Sequence, residues 1–227
     1  MKTILSVTAH PDDEVLGFGA TAAKLASEGH RVVNCILSGK VEVRQFRPEL
    51  EDLNRHILLA QNIMKCDTPI IGNFPNIRFN TVPHHELVKY IESAIDEVQP
   101  DILFTHFPYD LNDDHKQVSN ACQAAARLFQ RRKCKPLQAL YFMEVLSSTE
   151  WEFPVNGNIF APNSFVEIHT QFLELKIKAL EAYAGVMRDF PHPRSREVLK
   201  GLAAFRGSQA GLDFAESFQM AMSVLNL

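Results

Sequence analysis

Ala9-His10-Pro11-Asp12-Asp13-Glu14 follows the apolar run Ile4-Leu5-Ser6-Val7-Thr8 and leads into a segment with helical spacing. Four groups able to bind a metal or move a proton, His10, Asp12, Asp13 and Glu14, stand within five residues, where a buried strand ends. Carboxylates packed this closely beside an apolar run are costly unless a cation or hydrogen bonds compensate. Taken alone, the stretch fits either an Asx-type cap of the following helix or half of a metal site.

Outward from this stretch, strands and helices alternate. Strands are expected over 3–8, 31–37, 69–71, 101–105 and 140–142. Between them, Val15/Phe18/Ala22/Leu25, Leu50/Leu53/Ile57/Ala60/Met64, Leu87/Ile91/Ala94/Val98 and Val118/Cys122/Ala125/Phe129 recur at helical spacing. That rhythm predicts βαβ units and an α/β, Rossmann-like three-layer fold around a mostly parallel sheet, in the order 3-2-1-4-5. Past residue 147 the rhythm changes. A strand is expected over 165–168, a helix over 171–186, a turn at Pro191-His192-Pro193-Arg194-Ser195, a helix capped by Ser195, and a last helix from about Asp213. Residues 1–146 are thus expected to form the metal-binding catalytic core. Residues 147–227 are expected to extend the same domain as a β/helical lid or wall.

In such a sheet strands 1 and 4 are neighbours at the topological switch point, where open α/β sheets bind ligands. His10, Asp12 and Asp13 follow strand 1; His106, Asp110, Asn112, Asp113, Asp114 and His115 follow strand 4. Two imidazoles and a carboxylate are a usual ligand set for catalytic zinc, with a further position for water. Of two adjacent acids in an irregular turn, one can bind metal while the other moves protons.

Composition narrows the class. With a net charge of −4 and a single basic run, Arg131-Arg132-Lys133-Cys134-Lys135, no nucleic-acid face is indicated. Four scattered cysteines without CxxC spacing, no leader pattern and no apolar run of membrane-spanning length point to a reduced, cytoplasmic setting without membrane insertion. Gly17-Phe18-Gly19-Ala20 lacks the spacing of a dinucleotide fingerprint. His30, His56, His84 and His85 read as surface residues, and the sequence leaves a homo-oligomer open.

The first motif, with an Asp-His pair opening the helix after strand 4, resembles the LmbE-like or PIG-L family of zinc-dependent de-N-acetylases over roughly residues 1–145. The resemblance implies His10, Asp13 and His115 as ligands of Zn2+, with Fe2+ or Co2+ as alternatives. It implies Asp12 as general base and Asp114 as the partner behind a ligand histidine. The implied activity removes acetate from an N-acetylated amino sugar or conjugate, in bacterial glycan or nucleotide-sugar metabolism. The alternatives are an amidase of a thiol conjugate, a phosphoesterase on the same site, or a non-catalytic metal protein.

Many family members have His-Pro-Asp-His where this chain has Asn112-Asp113-Asp114-His115. Asn112 can donate a hydrogen bond to an oxyanion but cannot supply a proton. Either Asp12 serves as both base and acid, or another group donates to the leaving amine. His192 is the candidate donor, and Arg194 the candidate anchor for an anionic substrate group, if the proline-rich turn folds over the site. Asp110, His106 and Arg47 are further candidates beside the metal or substrate; Arg44 joins Arg47 in the loop after strand 2. Trp151, the sole tryptophan, could stack on a sugar face.

Overall fold

The computed structural model describes residues 1–40, 49–154 and 157–225; Arg44 and Arg47 lie outside the described residues. The elements, in order, are β1 (Thr3–Thr8), α1 (Asp13–Ser27), β2 (Arg31–Ile36), α2 (Leu50–Met64), β3 (Ile70–Ile71), α3 (His84–Val98), β4 (Ile102–His106), α4 (Asp113–Ala125), β5 (Ala139–Met143), β6 (Ser164–Glu167), α5 (Thr170–Glu181), α6 (Arg196–Ala210) and β7 (Ala215–Ser223).

The sheet runs β3-β2-β1-β4-β5-β7-β6. The first five strands are mutually parallel, in the predicted order 3-2-1-4-5. From Ile4 onward β1 is buried throughout, because helices cover the sheet on both faces. Val15, Phe18, Ile57 and Met64 share one apolar layer with Ile177 and Leu180 of α5. Leu87 and Ile91 of α3 share the other with Val118 and Cys122 of α4. The C-terminal segment thus completes the core that the N-terminal helices begin. Against β5, α1 sits so close that a Cβ built on Gly17 falls 2.7 Å from Met143 Sδ. A side chain there would require the buried Met143 side chain to move.

Three local expectations change. The segment from residue 213 is no helix: β7 pairs antiparallel with β5 and β6. Its Glu, Met and Ala residues favour helix intrinsically, but pairing with two strands overrides so weak a preference. Glu216 is also fixed from outside the strand: it accepts Lys176 Nζ at 2.7 Å and Thr21 N at 2.6 Å. The helix expected to reach residue 186 stops at Glu181, and Gly185 turns with a φ of 76°. The face assigned to Phe129 fails because α4 ends at Ala125; a single 3-10 turn then buries Leu128 and exposes Phe129. Ser195 does cap α6, accepting from Val198 N at 3.2 Å.

Candidate metal centre

Where β1 ends, the chain must turn into α1 within four residues. Asp12 makes this turn in the left-handed region, at φ 97°. Its N–H donates to Glu14 Oε2 at 3.0 Å, and Glu14 is itself held by Tyr183 Oη at 2.5 Å and Gln61 Nε2 at 3.1 Å. Asp12 occupies the N-cap position of α1, but its side chain makes no capping hydrogen bond. That separates the two readings of the motif: the helix does not consume the Asp12 carboxylate.

His10, Asp13 and His115 come together across the β1–β4 switch point, with ligand atoms all within 4.8 Å of one another. Asp13 Oδ2 lies 3.3 Å from His10 Nδ1 and 3.1 Å from His115 Nε2. Each histidine has a second carboxylate on its outer nitrogen. Asp114 Oδ2 meets His10 Nε2 at 2.8 Å, and Asp110 Oδ1 meets His115 Nδ1 at 3.2 Å. Paired acids of this kind fix the tautomer and the ring plane of a ligand histidine. Asp110 is in turn held by the hydroxyls of Ser148 and Thr149, the latter at 2.5 Å.

The electrostatics call for positive charge at this point. Burial opposes charge on His115, yet Asp13 and Asp110 push it up to about 10. Burial likewise opposes ionisation of Asp13, but His115 and His10 hold it well below the usual carboxylate range. Among the described residues His115 Nε2 finds no well-formed hydrogen bond despite full burial. A divalent cation meets the same demand, and the donor set of two imidazoles and one carboxylate fits it.

His106 stands behind the centre rather than in it. Burial and the neighbouring His115 push it down to about 3, so it is neutral. Its Nε2 accepts Ala9 N at 2.9 Å, and its ring stacks on His115 at 3.8 Å.

A cavity of about 580 Å³ opens above the three ligand candidates. Asp12, Asn112, His192 and Arg194 all line it, as does Trp151. Asn112 is the N-cap of α4: its Oδ1 accepts Asp114 N at 3.0 Å, leaving its NH2 for other partners. The proline-rich turn does fold over the site. Arg194, however, is not an open anion anchor: Nη1 lies 3.1 Å from Asp12 Oδ2 and Nε donates to Ser147 Oγ at 2.6 Å. His192 Nδ1 accepts Arg194 N at 3.0 Å, so the ring hydrogen sits on Nε2. Burial, Arg194 and Arg188 together lower its pKa below the ordinary 6.5.

Sequence reasoning missed Asn76, Ile77, Arg188, Ser147 and Ser148, which also line the cavity, and the part Glu14 plays under the turn. Most of these follow from a rule the sequence reading applied too narrowly. The loop after β3 and the segment after β5 leave the same carboxyl edge of the sheet as β1 and β4.

Residues 5–126 match the family model PIG-L, GlcNAc-PI de-N-acetylase. The chain belongs to this family. All three ligand candidates fall inside the matched span of this deacetylase family. The chain is 24% identical over 187 residues to the uncharacterized deacetylase YaiS of Escherichia coli (strain K12), covering 80% of this chain and 90% of that protein. It is 30% identical over 156 residues to 1D-myo-inositol 2-acetamido-2-deoxy-alpha-D-glucopyranoside deacetylase of Streptomyces scabiei (strain 87.22), over 55% of this chain and 48% of that enzyme. Its structure matches the conserved protein TT1542 of Thermus thermophilus with a TM-score of 0.81 at 25% identity, over 100% of this chain and 98% of that one. It matches GalB, the 4-carboxy-2-hydroxymuconate hydratase of Pseudomonas putida KT2440, with a TM-score of 0.77 at 20% identity, over 100% and 99%. The PIG-L fold thus carries more than one chemistry, and the reaction must be argued from the site.

Proposed function

We propose that this protein is a metal-dependent deacetylase that hydrolyses the acetamide of an N-acetylated sugar or sugar conjugate and releases acetate, in bacterial glycan or nucleotide-sugar metabolism. The observation that carries this reading is the placement of Asp12. Its carboxylate is spared from helix capping and lies in the same cavity as His10, Asp13 and His115. Zinc is the proposed metal, and iron(II) or cobalt(II) accept similar ligands. Held by those three residues, the cation supplies Lewis acidity toward the acetyl carbonyl and makes water more acidic.

The chain's own groups do the rest. Asp12 takes a proton from the attacking water as the water oxygen bonds to the acetyl carbon. The Asn112 NH2 donates to the developing oxyanion. Asp12 then passes the proton to the sugar nitrogen as the C–N bond breaks, leaving acetate and a free amine. Arg194 fixes the Asp12 carboxylate through this exchange by binding Oδ2. His192, kept neutral by burial and by its cationic neighbours, donates a hydrogen bond from Nε2–H rather than a proton. The Trp151 ring, 47% exposed at the cavity, offers a face for the sugar.

The test is acetate release from a panel of N-acetylated sugars by protein reconstituted with zinc, with Asp12→Asn as the control. Acetate from at least one sugar, lost in the variant while bound metal is retained, is expected. Turnover of phosphoesters alone, or addition of water to an unsaturated acid without acetate release, would overturn the reading.

A further inference from the structure

Glu14 is fully buried, yet neither the metal-ligand set nor the proposed proton transfer uses it. An acid inside a core is unfavourable unless hydrogen-bond donors compensate it. Here a line of donors converges on it. Ser6 Oγ donates to Asn34 Oδ1, Asn34 Nδ2 to Gln61 Oε1 at 2.5 Å, and Gln61 Nε2 to Glu14 Oε1 at 3.1 Å. Tyr183 Oη donates to the same Glu14 oxygen at 2.5 Å. The line starts in β1, passes through β2 and α2, and is joined by a tyrosine just past α5. At its end Glu14 Oε2 accepts the Asp12 N–H at 3.0 Å.

The start of α1 shows what this end accomplishes. A helix leaves its first N–H groups without partners of its own, and an aspartate at the N-cap ordinarily accepts from one of them. In α1 those donors are met otherwise. Asp13 N bonds His10 O at 3.3 Å, while Val15 N and Leu16 N bond Asp12 O at 3.1 and 2.8 Å. Glu14 reaches back to the N-cap N–H, which is the return half of a capping box. The forward half, from the Asp12 carboxylate to the helix, is missing. Asp12 Oδ2 instead meets Arg194 Nη1 at 3.1 Å, on the cavity lining. The backbone that allows this sits at φ 97°, a conformation that persists only where its surroundings dictate it.

We propose that Glu14 and Tyr183 are positioning residues for the reaction. Glu14 holds the left-handed turn by its N-cap N–H, and Tyr183 orients Glu14, so the Asp12 carboxylate is kept at the cavity and off the helix. The inference rests on the reading of Asp12 as general base and extends it to two residues that touch neither substrate nor metal.

The experiment measures acetate release from N-acetylglucosamine and N-acetylgalactosamine by zinc-reconstituted protein, with zinc affinity followed by chelator competition. Tyr183→Phe, which deletes one hydroxyl, should lower kcat about tenfold with KM little changed, the scale of a hydrogen bond to a charged group. Glu14→Met should lower kcat about a hundredfold, and Glu14→Gln, which keeps an acceptor for the Asp12 N–H, should recover most of that loss. Zinc affinity should stay near the wild-type value in all three. In an Asp12→Asn background, Tyr183→Phe and Glu14→Met should cost nothing further, because they act through a carboxylate already removed. If kcat per bound zinc is unchanged in Tyr183→Phe and Glu14→Met, or if their losses are as large with Asp12→Asn as without it, the two residues are merely structural and the inference is wrong. Should the wild type release acetate from neither sugar, the deacetylase reading fails for these sugars and the inference falls with it.

Discussion

The floor of the cavity and its wall are built differently. The floor comes from the ends of β1 and β4, where His10, Asp13 and His115 are buried and each is gripped by at least two partners. The wall comes from residues 147–151 and 184–194, from turns and irregular backbone, and some of its polar groups hold one another, as Arg194 does Ser147. The floor is preorganised for one ligand set, and the wall is tied to it at few points: Ser148 and Thr149 on Asp110, and Arg194 on Asp12. On the proposed reading, chemistry is the task of the floor and substrate choice that of the wall.

Four substitutions bear on this division, from the largest expected effect to the smallest. Asp12→Asn should lower kcat by about a thousandfold, the usual range for a general base, while metal analysis shows the ion retained. Equal loss of metal and activity would make Asp12 part of the binding set instead. Asp110→Asn, which never touches the cavity, should weaken metal affinity about 10–100-fold in a chelator competition. Unchanged affinity would mean that the floor owes little to its outer carboxylates.

On the wall, Arg194→Lys keeps the charge but loses the fork that spans Asp12 and Ser147. We expect about a tenfold drop in kcat with KM little altered, read from steady-state kinetics. The smallest effect concerns His192. Burial, and then the positive neighbours Arg194 and Arg188, disfavour its cationic form, so its proton is lost below pH 6.5 and it is neutral at pH 7. The pH profile of kcat/KM should therefore show no falling limb from His192 above pH 6.5. His192→Gln, which retains an N–H donor, should stay within about threefold of the wild type, the scale of one exposed hydrogen bond. A limb between pH 6.5 and 8 that vanishes in His192→Ala would restore His192 as the proton donor.

Most of the floor was legible in the sequence because strand ends and ligand types coincide there. The switch-point rule brought His10 and His115 together from distant parts of the chain, and the sheet order that it needs is the one observed. The wall was less legible. Its turn at 191–195 could be placed by its prolines, but nothing local says that the Arg194 guanidinium would end on Asp12. β7 was misread because its residues are good helix formers, and only pairing with two strands makes it extended. Asn76 and Ile77 carry no pattern at all: the loop's path is set by Asp114, more than thirty residues further on.

The hydrogen bond between Tyr183 and Glu14 has a consequence for how the protein is made. It joins positions 169 residues apart, and the Arg194–Asp12 contact joins positions 182 apart. Closing loops of that length is entropically unfavourable until the intervening core has condensed. The turn at Asp12 can be shaped early with Gln61 on Glu14, but the supports from Tyr183 and Arg194 arrive only when the C-terminal segment folds back. During synthesis the Asp12 carboxylate should therefore be the last part of the site to be fixed, after the chain has extended past Arg194.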